Sequence, residues 1–103
     1  MSQPSLELEL HLRAAGVEQW VTEWRFHPRR RWRLDLAWPE RLIATEVHGG
    51  VWTSGRHTRG RGFSADREKM NSALVLGWRV LEVTPDQIRS GEALAWIEQL
   101  LAQ

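Results

Sequence analysis

Residues 32–48 read WRLDLAWPERLIATEVH, and the alternation in this stretch decides how the rest of the chain is read. Trp32, Leu34, Leu36 and Trp38 fall on every second position, with Arg33, Asp35 and Ala37 between them. A period of two is that of a strand, whose successive side chains point to opposite faces. Pro39, Glu40 and Arg41 break the pattern as a turn. It resumes from Leu42 to His48, with Leu42, Ala44, Glu46 and His48 on one face and Ile43, Thr45 and Val47 on the other. Two such strands around a short break read as a hairpin. That hairpin brings Asp35 near Glu46.

Outward toward the N-terminus, a further strand is expected over Glu23–His27, followed by a loop through Pro28. Residues 5–15, SLELELHLRAA, fit either period. Ala14, Ala15 and the stop at Gly16 favour a helix. Its expected phase puts Leu6, Glu7, Leu8, Leu10, His11 and Leu12 on a broad inward arc, with Glu9 and Arg13 as an exposed i,i+4 pair. Glu7 then sits inward, where a carboxylate needs a partner.

Outward toward the C-terminus, residues 49–62 hold five of the eight glycines and Trp52, Arg56, His57, Arg59 and Arg61, the composition of a substrate-shaped loop. Ser64 is expected to cap a helix ending at Leu76 before Gly77, with Ala65, Met70, Ala73, Leu74 and Leu76 inward. Lys69 and Asp66 fall inside that arc. A strand over Trp78–Thr84 and a last helix near Glu92–Leu101 complete the order α-β-β-β-α-β-α, a mixed sheet flanked by helices.

At 103 residues the chain reads as one domain, 1–103. There is no cysteine, which removes disulfides, thiolate zinc sites and cysteine nucleophiles. Nothing resembles a membrane span or a signal segment, so a cytoplasmic location is expected. The net charge of +1 conceals segregation: Arg25–Arg33 carries five arginines and His27 without an acid, and Val47–Ala65 carries three arginines and two histidines without one. Such stretches suit a polyanion. Arg29, Arg30, Arg31, Arg56, His57, Arg59 and Arg61 are the candidate phosphate contacts, with Trp52 a candidate for base stacking. The alternative is a solvated surface.

Lys69 is the chain's only lysine beside thirteen arginines. An ammonium is a compact, tunable point charge, and a guanidinium is a wide, permanently charged fork. Asp35, Glu46 and Glu7, with the Val47 carbonyl, form a candidate oxygen ligand set for Mg²⁺ or Mn²⁺. A cation held there would activate water and polarise a phosphodiester, with Lys69 offsetting charge in the transition state. The plainer reading of Lys69 is a snorkelling side chain covering apolar surface.

Asp35 followed after ten residues by Glu46-Val47-His48, within this element order, resembles the PD-(D/E)XK nuclease superfamily. Residues 31–40 (RWRLDLAWPE), 46–50 (EVHGG) and 68–71 (EKMN) resemble small phage and prophage endonucleases of its very-short-patch-repair-like and virus-type replication-repair branches. The resemblance spans essentially the whole chain. It implies a restriction-endonuclease-like αβββαβ core with an extra C-terminal helix. It also implies a Mg²⁺- or Mn²⁺-dependent endonuclease acting on branched, nicked or flapped DNA, without a small-molecule cofactor. Asp35, Glu46, His48 and Lys69 would be its catalytic residues. Two positions depart from the pattern: His48 stands where the motif has lysine, and Leu34 where it has proline. The resemblance therefore implies either that Lys69 supplies the lysine from the next helix or that His48 takes the role. A homodimer would address two strands, and seven tryptophans offer apolar area for it, although core packing is the plainer use of most. Two other readings stand beside the nuclease: a catalytically degenerate nucleic-acid-binding module, and a zinc protein using His48, His57 and a carboxylate.

Overall fold

The computed structural model describes residues 2–48 and 61–103, with the side chain of Arg61 outside the description. Its elements are α1 (Gln3–Ala14), β1 (Val21–Arg25), β2 (Arg33–Trp38), a 3-10 turn (Pro39–Arg41), β3 (Ile43–Val47), α2 (Arg61–Val75), β4 (Arg79–Val83), α3 (Pro85–Arg89) and α4 (Glu92–Leu101). The fold is the expected mixed α/β sheet flanked by helices with an extra C-terminal helix, which is preceded by the short α3. The strands lie in the order β1-β2-β3-β4. The first three are antiparallel neighbours, and β4 returns parallel to β3 after the α2 crossover.

Local chemistry explains the boundaries. Ser2 accepts the Ser5 N–H at 3.2 Å and caps α1. Helices α1 and α2 end alike. The Val17 N–H reaches back to the Leu12 carbonyl and the Trp78 N–H to the Ala73 carbonyl, each at 2.9 Å. That double-looped ending needs a left-handed residue after the helix, supplied by Gly16 (φ 78°) and Gly77 (φ 93°). At α3, Thr84 and Gln87 cap each other reciprocally. Ser64 is not a cap, because α2 begins at Arg61 and takes Ser64 into its first turns.

Two apolar clusters sandwich the sheet. On one face Leu8, Leu12, Leu36, Trp38, Ile43, Val83, Ile88, Ala93 and Ile97 pack together, joining α1, α3 and α4 to the strands. Each such fully buried Leu or Ile contributes roughly 1.5–3 kcal/mol. On the other face a thinner cluster holds Leu34, Ala37, Ala44, Ala73 and Trp78 against α2.

Three expectations of phase are corrected. In α1 the buried residues are Ser5, Leu8, Glu9 and Leu12, while Leu6 and Leu10 are exposed. Glu9, 6% exposed, is therefore the inward carboxylate. It is tolerated because Trp20 Nε1–H donates to its Oε1 at 2.9 Å and Arg13 lies 3.6 Å away. Glu7 instead faces His11 at 3.8 Å on a partly exposed flank. In α2, Ala73 is buried but Leu74 is exposed, as is Leu76 just past the helix end. In β2, Leu34 joins the α2-side cluster while Leu36 and Trp38 join the other. The strict alternation expected of Leu34, Leu36 and Trp38 breaks at Asp35.

Candidate active site

The break at Asp35 is where the site begins. Ladder pairing of β2 with β3 runs from Trp38↔Ile43 through Ala37↔Ala44 to Leu36↔Thr45 and then stops. The next rung would set Asp35 opposite Glu46. There the side chains replace the ladder: the Asp35 N–H donates to Glu46 Oε2 at 2.8 Å, and the Val47 N–H donates to Asp35 Oδ2 at 2.7 Å. Each carboxylate thus satisfies a backbone donor that the diverging strands leave without a carbonyl. On the other side of β2, the ladder pairs Thr22 with Leu36 and Trp24 with Leu34 in unbroken register but leaves Glu23 and Asp35 unpaired, and Glu23 has φ 52°. Non-glycine residues occupy that region sparsely.

Helix α2 covers the pair with a cation. The Lys69 ammonium donates to Glu46 Oε1, with its side chain 18% exposed and that of Glu46 8% exposed. The expectation that Lys69 points at the sheet holds. Burial pushes the Glu46 carboxyl above its ordinary pKa, the neighbouring Asp35 charge adds to the rise, and Lys69 draws it back. The fold thus gathers groups distant in sequence, for Glu46 lies 11 positions from Asp35 and 23 from Lys69.

One strand further, Glu82 on β4 pairs in register with Glu46. Its Oε1 meets His48 Nε2 at 2.9 Å and lies 3.7 Å from Arg67 Nη2. Arg67 also pairs with Asp66. His48, just past β3, is tied down by its own N–H, which donates to the Val83 carbonyl at 2.8 Å. Sequence reading missed Glu82 and Arg67. Arg79–Val83 reads RVLEV, with no polar-apolar alternation to mark Glu82, and only the parallel register of β4 against β3 places it on the Glu46 face.

The donor chemistry fits a hard divalent cation in part. Asp35 and Glu46 are two oxygen donors on rigid strands, and in an extended strand the Val47 carbonyl leaves on the same side as its N–H, toward Asp35. Mg²⁺ is commonly held by one or two carboxylates plus water and phosphate oxygens, so a pair suffices. Among the described residues no group of three or more His, Asp or Glu side chains is arranged to hold a metal. Glu7 accordingly does not join Asp35 and Glu46: α1 packs against the sheet face opposite α2.

Of the candidate nucleic-acid contacts, Arg29, Arg30 and Arg31 lie exposed between β1 and β2. His27 Nδ1 accepts the N–H groups of Arg29 (3.1 Å) and Arg30 (3.0 Å), which fixes the turn. Arg30 lies over the Trp32 ring at 3.9 Å and bonds Glu68 of α2 at 2.9 Å. It is a strut that ties the arginine turn to the helix carrying Lys69. Trp52, Arg56, His57, Arg59 and the Arg61 side chain lie outside the described residues, as do Gly49 and Gly50. The proposed zinc pairing of His48 with His57 falls there too. Trp38 and Trp78 are buried, which removes both from any surface for a second copy.

No known sequence family matches the chain, and no curated protein is similar to it by sequence. Its architecture is similar to that of the catalytic domain of the homing endonuclease I-Bth0305I. The TM-score is 0.71 at 18% identity, covering 99% of this chain and 96% of that one. The chain has a nuclease-like fold.

Proposed function

We propose that this protein is a divalent-metal-dependent DNA endonuclease of the PD-(D/E)XK type. The observation that carries the reading is the Asp35–Glu46 pair, interlocked where the β2–β3 ladder ends and covered by Lys69. Support comes from the fold shared with a homing endonuclease catalytic domain. In this reading Asp35, Glu46 and the Val47 carbonyl hold Mg²⁺ or Mn²⁺. Bound there, the cation would polarise the scissile phosphate and make water acidic enough to attack it. The backbone bonds to Asp35 and Glu46 hold both carboxylates in place, so little reorganisation is needed at the moment of reaction. Lys69 opposes the rise in the Glu46 pKa and places a positive charge at the rim, where negative charge grows on the phosphate. Arg29 and Arg31 contact flanking phosphates, and the glycine-rich segment 49–62 contributes Trp52, Arg56, His57, Arg59 and Arg61. The substrate is branched, nicked or flapped DNA.

Incubation with plasmid, linear, junction and single-stranded DNA in Mg²⁺ or Mn²⁺ tests this directly. Cleavage that is lost in Asp35→Asn and Glu46→Gln supports it. Full activity in either variant would remove the nuclease site from the hairpin. A second reading, a nucleic-acid-binding module without catalysis, is favoured by one observation: both oxygens of Glu46 are engaged, by the Asp35 N–H and by Lys69. DNA binding without cleavage under every metal condition would select it.

A further inference from the structure

Glu82 has no part in the reading above, yet it lies on the same sheet face, one strand from Glu46 and in register with it. Its Oε1 is 2.9 Å from His48 Nε2. An ionised carboxylate can only accept a hydrogen bond, so the neutral imidazole must carry its proton on Nε2. That leaves Nδ1 with the lone pair. The backbone N–H of His48 is fixed to Val83, the residue after Glu82, so main chain and side chain of His48 are both held by β4. Arg67 Nη2 approaches the same Oε1 at 3.7 Å and also pairs with Asp66. The chain Asp66–Arg67–Glu82–His48 therefore runs from α2 across β4 to the end of β3, beside Glu46-Val47.

We infer that Glu82 is a positioning residue for His48. It fixes the ring's orientation and tautomer and leaves Nδ1 as the nitrogen available to substrate or to a water at the site. Geometry of this type is common for functional histidines, whose working nitrogen is chosen by the bond the other nitrogen makes. The catalytic half of the inference rests on the nuclease reading. The pairing itself does not.

Two measurements separate them. The first is the imidazole Nε2–H resonance of His48 in nitrogen-15-labelled protein, recorded with the ring neutral. It should be shifted downfield and slow to exchange in the wild type, be retained in Glu82→Gln, whose amide oxygen still accepts, and be lost in Glu82→Ala. The second is cleavage kinetics. Glu82→Ala should lower kcat about tenfold, somewhat less than removal of a general acid or base itself, with KM unchanged. In a His48→Ala background the same substitution should cost less than about twofold, because its effect passes through His48. Glu82→Gln should recover most of the loss. If the resonance is unchanged in Glu82→Ala, the pairing is overturned. Equal costs in both backgrounds would overturn action through His48. If wild-type protein cleaves no substrate, the nuclease reading fails with the catalytic half, and the resonance alone then decides whether Glu82 holds His48.

Discussion

The two faces of the sheet are built for different work. Toward α1, α3 and α4 lie Leu8, Leu12, Leu36, Ile43, Val83, Ile88 and Ile97, all fully buried. Toward α2 the apolar contribution shrinks to Leu34, Trp78 and three alanines, and the room so released is taken by Glu46 with Lys69 and by Glu82 with His48 and Arg67. Large aliphatic side chains on one face carry the stability, and small ones on the other allow ionic groups to approach the strands. Buried ion pairs are weak evidence for stability, since desolvation offsets most of their attraction. Among the described residues the α1 side holds one such pair, Glu9 with Arg13, whereas on the α2 side Glu46–Lys69 and the more exposed Glu82–His48–Arg67 group stand together beside Asp35, and that concentration points to function there.

The strongest test of this division is chemical. Asp35→Asn and Glu46→Gln should each lower cleavage by at least about a hundredfold, comparable to removing a principal electrostatic group from an active site. Melting temperature and DNA affinity should change little. A large loss of folding in these variants would make the charged face a stability element and erase the contrast. The reverse should hold across the sheet. Leu8→Ala or Ile97→Ala should destabilise by about 2–5 kcal/mol, as buried large-to-small substitutions do, while cleavage by the protein that remains folded is unchanged. Urea titration with parallel assays measures both.

Lys69 sharpens the comparison further. Lys69→Arg keeps the charge but places a wider planar group against Glu46, so it should lose most activity, on the order of a hundredfold. Lys69→Ala should be as poor or poorer, and His48→Ala should cost less than either. The opposite ranking would make Lys69 a packed cation and give its role to His48.

Acid titration supplies a smaller effect. Because the folded protein raises the Glu46 pKa, the native state still holds that proton at pH values where the unfolded chain has released it. Stability contributed by this group therefore falls as pH rises from the ordinary carboxylate value to the raised one, and is level above it. Glu46→Gln should abolish that segment of the stability–pH curve, and Lys69→Ala should extend it to higher pH, since Lys69 lowers the pKa. Urea midpoints from about pH 4 to about pH 8 would show it. A wild-type curve that rises through this window would contradict the assignment.

The arginine turn gives the smallest effect. Arg29→Ala with Arg31→Ala should reduce the slope of log affinity against log salt by roughly 0.9 for each phosphate no longer neutralised. Arg30→Ala should act differently, by loosening the turn from Glu68 and Trp32. An unchanged slope in the double variant would place the DNA elsewhere.

Much of this architecture was legible in residue order. Alternation in residues 32–48 specified the hairpin, because a strand's period of two follows from backbone geometry alone. Gly16 and Gly77 marked two helix ends because only glycine enters the left-handed region at little cost. The inward phase of Lys69 set it against the sheet, and the structure shows that the group it meets there is Glu46. Tertiary structure decided the rest. Helix α1 settled on Leu8 and Leu12 rather than Leu6 and Leu10, since an apolar residue at nearly every second position leaves several helical arcs equally greasy and only the partner surface selects one. Glu9 became the inward carboxylate because Trp20, eleven residues away, supplies a donor that periodicity cannot reveal. The break at Asp35 and the pairing of Glu82 with His48 arise from strands meeting across the sheet. No local pattern encodes which carboxylate will stand opposite which donor, because that choice is made only when the strands pair.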